Sequence, residues 1–258
     1  MRFPFSKYHG AGNDFILIDD RIPFFPAADC ERIRKLCDRR LGIGADGLIL
    51  LQSSQKADFR MRLFNADGGE PGMSGNGIRC LVSFIHSLGI ERDLYRIETG
   101  QAVRVCQILD GKVAVSMGPV HVLHRGLKLA LQHEVVSMEV LHTGVPHAVV
   151  FVDDLDAVDV ASKGKEIRHH PHFQPEGVNV NFAMRGAEGH LRMRTYERGV
   201  EAETLACGTG AVAVASATNA PGYILPASGE MLEVRIDGEN TQLIGPAQLV
   251  FTGEINES

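Results

Sequence analysis

Apolar positions along this chain fall into two kinds of run. Short runs such as FILID at 15–19, DGLILL at 46–51 and FRMRLF at 59–64 are continuous or alternating and bounded by turn residues, and they predict strands. Two longer runs, IRCLVSFIHSL at 78–88 closed by Gly89 and AVAVASATNA at 211–220 closed by Pro221, predict helices. Both are apolar almost all round, so each must be enclosed by protein. Turn signals at Asp110-Gly111, Gly118-Pro119 and Asp237-Gly238 favour hairpins and antiparallel pairing over a doubly wound parallel sheet.

The pattern also repeats. Met73-Ser74-Gly75-Asn76-Gly77 matches Ala206-Cys207-Gly208-Thr209-Gly210, each just ahead of an apolar helix, with Ser74 and Cys207 133 positions apart. At nearly the same offset Arg60-Met61-Arg62 recurs as Arg192-Met193-Arg194, and Gly44-Ala45-Asp46 as Gly177-Val178-Asn179. Gly12-Asn13-Asp14-Phe15 likewise parallels Gly144-Val145-Pro146-His147. Four matches in one order imply homologous halves. The expected class is therefore α+β: two pseudo-symmetric halves, each a mostly antiparallel sheet or barrel wrapped around a central helix, with the active site between them. Residues 1–117 form the first half, with the C-terminal strand 247–258 as a candidate to complete it. Residues 118–246 form the second, and the pattern is weakest over 115–137.

Composition narrows the function. With 44% hydrophobic and 22% charged residues, the 258-residue chain reads as globular. A net charge of −6 without long Lys/Arg runs, and the absence of Trp, argue against nucleic acid. No stretch approaches ~18 uninterrupted apolar residues, and the N-terminus does not read as a signal peptide, so a cytoplasmic protein without membrane association is expected. Five cysteines with no CxxC pair suggest reduced thiols, neither a disulfide framework nor a zinc knuckle. Cys30, Cys37, Cys80 and Cys106 read as small buried hydrophobes. The run His169-His170-Pro171-His172 reads as a solvated, Pro-broken loop, and no metal is expected.

A small-molecule site is the remaining expectation, and the two helix starts carry its chemistry. N–H groups in a first helical turn lack intrahelical partners and carry partial positive charge, and the glycines of Gly75-Asn76-Gly77 and Gly208-Thr209-Gly210 allow an anion close approach. An amino acid's α-carboxylate suits such a clamp. Cys207 occupies a position that lowers a thiol's pKa and makes it a candidate base. If residues 74 and 207 flank the same carbon, one can remove the α-proton while the other returns a proton to the opposite face. That chemistry calls for no metal or cofactor.

Lys7-Tyr8-His9-Gly10-Ala11-Gly12-Asn13-Asp14-Phe15, Gly42-Ile43-Gly44-Ala45-Asp46-Gly47, Asn65-Ala66-Asp67-Gly68-Gly69-Glu70, Gly75-Asn76-Gly77-Ile78-Arg79-Cys80, Asn179-Val180-Asn181, Tyr196-Glu197-Arg198-Gly199 and Glu203-Thr204-Leu205-Ala206-Cys207-Gly208-Thr209-Gly210 together resemble diaminopimelate epimerase, over most of the chain. The resemblance implies interconversion of LL- and meso-diaminopimelate, for lysine and peptidoglycan precursors, by two opposed cysteines without pyridoxal phosphate. It implies substrate contacts from Asn13, Asn65, Gly75, Asn76, Asn179, Glu197, Arg198, Gly208 and Thr209, tuning of protonation by His147 and Glu197, and a homodimer. One catalytic cysteine matches Cys207. The other position holds Ser74, whose hydroxyl is far less acidic and needs its own activating base, so two-base epimerisation is expected to be weakened while exchange through Cys207 survives. Val145 and Gly47 stand where some members have Asn and Gln. Alternatives are a proline, hydroxyproline or broader amino-acid racemase of the same architecture, and a noncatalytic amino-acid-binding relative. Arg198, Asn65 and Asn179 favour a substrate with a second charged end.

Overall fold

Strand alternation is plain from the first element, where Phe3, Phe5 and Lys7 are buried while Arg2 and Pro4 are exposed. The computed structural model describes residues 2–186, 189–218 and 222–256 and divides the chain into two compact units, residues 1–115 with 245–258 and residues 116–244.

The first unit contains β1 (Arg2–Gly10), β2 (Asn13–Asp19), α1 (Cys30–Cys37), β3 (Gly47–Gln52), β4 (Phe59–Asn65), α2 (Gly75–Ser87), β5 (Tyr95–Glu98), β6 (Val103–Leu109) and β7 (Lys112–Ser116), and also the C-terminal strand Gln248–Asn256. Its sheet runs C-terminal strand, β1, β2, β3, β4, β5, β6, β7, parallel only at β2/β3 and β4/β5. Those two parallel steps are the ones crossed by α1 and α2. Helix α2 packs against β1, β2, β3, β4, β6 and the C-terminal strand, as a helix without a polar face must. The β6–β7 hairpin turns at Asp110 (φ 49°) and Gly111 (φ 76°), a pair in the left-handed region that matches strand twist.

The second unit contains β8 (His121–Ala130), β9 (Val135–His142), β10 (Pro146–Phe151), α3 (Val160–Arg168), a 3₁₀ turn at Pro171–Phe173, β11 (Asn179–Arg185), β12 (Leu191–Glu197), β13 (Ala202–Thr204), α4 (Gly208–Ala217), β14 (Gly222–Leu225), β15 (Leu232–Asp237) and β16 (Asn240–Gly245); the C-terminal strand is β17. Its order, β8, β9, β10, β11, β12, β14, β15, β16, again has parallel steps only at the third and fifth positions, β10/β11 and β12/β14, the two crossed by α3 and α4, with β13 alongside β12. Helix α4 packs against β9, β10, β11, β12, β14 and β15. The class is thus a sheet-rich α+β fold with few helices and two repeated units. The pairing is mostly antiparallel, but each unit also carries two parallel crossovers that turn signals alone did not disclose.

The repeat extends to single residues. The outer core of the first unit includes Ile16, Ile18, Leu48, Leu50, Phe64 and, from α1, Ile33. The second places Ala148, Val150, Val180, Phe182, Tyr196 and, from α3, Ile167 at corresponding places. Both outer helices are capped alike, Asp29 accepting from Arg32 N and Asp159 from Ser162 N, each at 3.0 Å. Strand register corrects one sequence match. Phe15 pairs with Gly47 and His147 with Asn179, so the strand equivalent of Asn179 is Gly47, one residue beyond Asp46. A one-residue slip in a strand exchanges faces, so the distinction decides what points at the central helix.

Helix boundaries also differ from expectation. Both central helices begin three residues earlier than the apolar runs, because Gly75-Asn76-Gly77 and Gly208-Thr209-Gly210 are already helical. Helix α2 ends at Ser87, with Gly89 in the left-handed region (φ 78°). Helix α4 ends at Ala217, and the expected extension to 220 with its stop at Pro221 lies outside the described residues beyond Thr218. None of the described helices is long and apolar enough to cross a membrane.

Helix α3 sits so close to β12 that an added Cβ at Gly164 would lie 2.4 Å from Tyr196 Cβ. Gly164→Ala is therefore expected to destabilise the protein by about 1–3 kcal/mol through overpacking, despite alanine's better helix propensity. A urea midpoint equal to or above that of the parent would contradict this packing.

Candidate functional site

In the first unit Ser74 is the N-cap of α2, in extended conformation (φ −138°, ψ 124°), and its Oγ accepts from Gly77 N at 3.1 Å. Gly75 and Asn76 fill the first helical turn and are buried. Asn76 Nδ2 donates to Asn13 Oδ1 at 3.2 Å, and Asn13 Nδ2 donates to Asp46 Oδ2 at 2.7 Å. Helix start and β1–β2 turn are thereby joined through side-chain amides. Asn65 ends β4 with its residue exposed, and its backbone closes a turn with Gly68 and Gly69.

Asn13 is held by a charge network that no motif disclosed. Asp14 meets Lys7 Nζ at 2.7 Å and is gripped at both oxygens by Arg39 at 2.7 and 2.9 Å, while Arg39 also reaches Asp46 at 2.7 Å. Burial alone would raise the Asp14 pKa, but Arg39, Lys7 and the Asp46 N–H outweigh it and hold the carboxyl near 2. Lys7 also donates to Gly44 O, tying β1 to the loop before β3. A visible signal was that Lys7 continues the inward face of Phe3 and Phe5, where a lysine requires a buried partner.

In the second unit Cys207 is the N-cap of α4 (φ −121°, ψ 108°), 4% exposed, with Sγ 3.5 Å from Thr209 Oγ1. Here the structure reverses an expectation. Burial, reinforced by the negative charge of Glu197, pushes the thiol up to about 12, and the opposing hydrogen bonds from Thr209 and the Gly210 N–H do not offset it. The helix start acts as the sequence suggested, but desolvation is larger. Gly208 and Thr209 open the helix, and Thr143 Oγ1 donates to Thr209 O at 3.3 Å. Glu197 lies at the end of β12, where its Oε2 accepts from Thr204 Oγ1 at 2.9 Å. Asn179 at the start of β11 accepts from Arg198 N at 2.8 Å, and the Arg198 guanidinium donates to Glu176 O at 3.2 Å.

His147, on β10, is fully buried, and burial followed by the positive charge of Arg198 and the proximity of His142 pushes its pKa down to about 3. It is a neutral imidazole across the physiological range. Sequence reasoning missed the residue that holds it, Asn181, whose Nδ2 lies 3.1 Å from His147 Nδ1. The second unit thus gathers Cys207, Gly208, Thr209 and Glu197 around the start of α4, and Asn179 with Arg198 at the adjoining strand ends. The first gathers Ser74, Gly75, Asn76 and Asn13.

Other candidate features resolve differently. Cys30 is exposed, contrary to its reading as a small buried hydrophobe, because it opens α1 on the outer surface, where its thiol faces Gly68 O at 3.5 Å. Cys37, Cys80 and Cys106 are buried. His169 Nε2 lies 3.1 Å from a Glu201 carboxylate oxygen, and the His172 ring stands edge-on to Phe173. A cavity of about 440 Å³ in the second unit is lined by residues including Glu134, Asp153, Asp159 and Lys163, and none of the motif residues lines it.

Comparison with known proteins agrees with the repeated scaffold and its motifs. The family model described as diaminopimelate epimerase matches residues 5–123 and 140–250. A diaminopimelate epimerase from Chlorobaculum tepidum is 43% identical, with 95% of this chain and 98% of that protein aligned. One from Hydrogenobaculum sp. (strain Y04AAS1) is 39% identical over 97% and 98%. Among solved structures, a hydroxyproline epimerase from Agrobacterium vitis superposes with TM-score 0.73 at 16% identity, covering 98% of this chain and 92% of that one. A Bacillus anthracis phenazine biosynthesis protein of the PhzF family reaches 0.76 at 14% identity with complete coverage of both chains, so fold is shared well beyond sequence likeness. Matched across nearly its whole length by the family model and by relatives near 40% identity, this chain belongs to the diaminopimelate epimerase family of enzymes.

Proposed function

We propose that the chain interconverts LL- and meso-diaminopimelate by removing and returning the α-proton, with Cys207 as one acid–base group and Ser74 at the position of the other. The observation that carries the reading is the setting of Cys207: an N-cap thiol beside Glu197, with Thr209 and Gly210 turned towards it. The Glu197 carboxylate acts directly on the charge state of the thiol, favouring its protonated form until substrate binds. N–H groups at the two helix starts suit the α-carboxylate and the charge that develops at the carbanionic carbon. No cofactor is called for. Asn13, Asn65, Asn76, Asn179 and Arg198 supply the polar contacts for a substrate with a second amino-acid end. We further propose that the working form is a homodimer.

Serine at position 74 limits the reaction. A hydroxyl without an activating base neither takes nor gives a proton readily at neutral pH, so exchange on the Cys207 side outpaces epimerisation. The test is incubation of the chain with LL- or meso-diaminopimelate, and in parallel with L-proline and trans-4-hydroxyproline, in deuterated water. Expected is α-deuterium in diaminopimelate with little isomer conversion, and none in the proline compounds. Deuterium in proline instead would replace this reading with a racemase. Binding of diaminopimelate without exchange would replace it with a noncatalytic binder.

A further inference from the structure

Internal repetition exposes one place where the two units differ in kind. Under the start of α2, the strand positions facing the helix are Phe15, Ile49 and Leu63, all buried, with Ile49 paired to Leu63. An added Cβ on Gly77 of α2 would meet Ile49 Cδ1 at 3.0 Å. The corresponding positions under α4 are His147, Asn181 and Thr195, each no more than 2% exposed, with Asn181 paired to Thr195. An added Cβ on Gly210 would lie 2.3 Å from Asn181 Oδ1. An apolar trio has become a polar one at the same sites of the same scaffold, beneath the helix whose N-cap is Cys207.

Hydrogen bonds within the polar trio run in one direction. Asn181 Nδ2 lies 3.1 Å from Ala148 O, and a carbonyl can only accept, so the amide NH₂ faces that side. Thr195 Oγ1 donates to Asn181 Oδ1 at 3.0 Å, which fixes the other end. The second amide hydrogen then points at His147 Nδ1, 3.1 Å away, which must accept. Nε2 therefore carries the ring proton, and it is buried with no hydrogen-bond partner among the described residues. Such a donor is costly to keep unless something bound to the protein uses it.

We propose that Asn181, braced by Thr195, is a positioning residue that locks His147 as the neutral Nε2–H tautomer, making it a fixed hydrogen-bond donor for the substrate-loaded site and not a proton acceptor. This rests on the reading of Cys207 as an acid–base group insofar as it concerns rate. The groups facing the ring, His142 and Arg198, oppose its protonation, and so does its burial. Gly210 belongs to the same device, since a side chain there would displace the amide.

The experiment is long-range ¹H–¹⁵N NMR of the histidine-labelled full chain from pH 4 to 8, with the His147 signal identified by its loss in His147→Gln. The parent is expected to show an Nε2–H ring that does not titrate in this range. In Asn181→Asp a carboxylate replaces the donor and prefers an Nδ1–H partner, so the tautomer should invert and the ring should titrate at higher pH. Diaminopimelate α-proton exchange should fall about 10–100-fold in kcat, with a smaller change in KM. Thr195→Val, which removes only the brace on Oδ1, keeps the question open to decision if Asn181→Asp does not fold, and should show a mixture of tautomers. An Nδ1–H ring or a titration near 6.5 in the parent overturns the proposal. So does an unchanged Nε2–H signature in whichever variants fold. The NMR result needs no substrate, so absence of exchange in the parent would count against the proposed reaction and leave the tautomer assignment standing.

Discussion

Ser74→Cys is expected to raise the rate of diaminopimelate epimerisation by about 10³-fold, within the 10²–10⁴-fold range usual for one positioned acid–base group. Epimerisation requires a proton to leave one face of the α-carbon and another to arrive at the opposite face. Cys207 serves one face under the proposed reading, and at position 74 the chain offers a hydroxyl already engaged in accepting the Gly77 N–H at 3.1 Å. Sulfur in place of oxygen supplies an ionisable group at the same N-cap, in a residue that is partly accessible. Because thiols cap helices less well than hydroxyls, the substitution should also lower stability by about 0.5–1 kcal/mol, visible as a small drop in the urea midpoint. The checks are the LL/meso ratio over time and deuterium uptake in the same samples. A variant that binds substrate and exchanges deuterium at the parental rate, yet epimerises no faster, would show that residue 74 is not the missing acid–base group.

How much of this could be seen in the sequence depended on what kind of physics each feature obeyed. The central helices were legible because α2 and α4 are apolar on nearly every side and so announce their burial, and the matching strands were legible because Ile16, Ile18, Leu48 and Leu50 have counterparts in Ala148, Val150, Val180 and Phe182. Helix starts were misplaced because Gly-Asn-Gly and Gly-Thr-Gly have loop composition, although the chain is helical there. β8 escaped reading because it is exposed along most of its length and therefore shows no burial pattern. The Lys7–Asp14–Arg39–Asp46 network escaped because its members come from three separate segments and meet only after folding. Of the site, Cys207, Glu197, Asn179 and Arg198 could be named from motifs, while Asn181 stood in plain view within Asn179-Val180-Asn181 and was given no role. Its importance lies in facing inward at the position equivalent to Ile49, which only strand register reveals.

The thiol at 207 is where sequence logic and structure disagree most, and it sets the last prediction. A helix start lowers a thiol's pKa, but this one is buried beside Glu197 and is pushed up to about 12. At pH 8 its thiolate fraction in the unliganded protein is then about 10⁻⁴, so Ellman's reagent should titrate exposed Cys30 first and Cys207 only slowly. Since kcat/KM reports the ionisation of free enzyme, exchange should rise roughly tenfold per pH unit between about 6.5 and 8.5. Cys207→Ala should lower exchange by about 10³-fold or more at every pH. The stability effect has a definite sign. The unfolded thiol ionises near 9 and the folded one near 12, so the folded state's advantage is complete below pH about 9 and is lost as pH climbs towards 12. Cys37 and Cys106, also raised to about 12 by burial, act in the same window, and Cys207→Ala should make the alkaline loss shallower by its share. A kcat/KM profile already flat by pH 7.5, together with rapid modification of Cys207, would mean that the helix start outweighs burial after all. Substrate would then meet a thiolate prepared in advance. In the opposite outcome it meets a protonated thiol, and Glu197 or the incoming substrate must account for how that proton leaves.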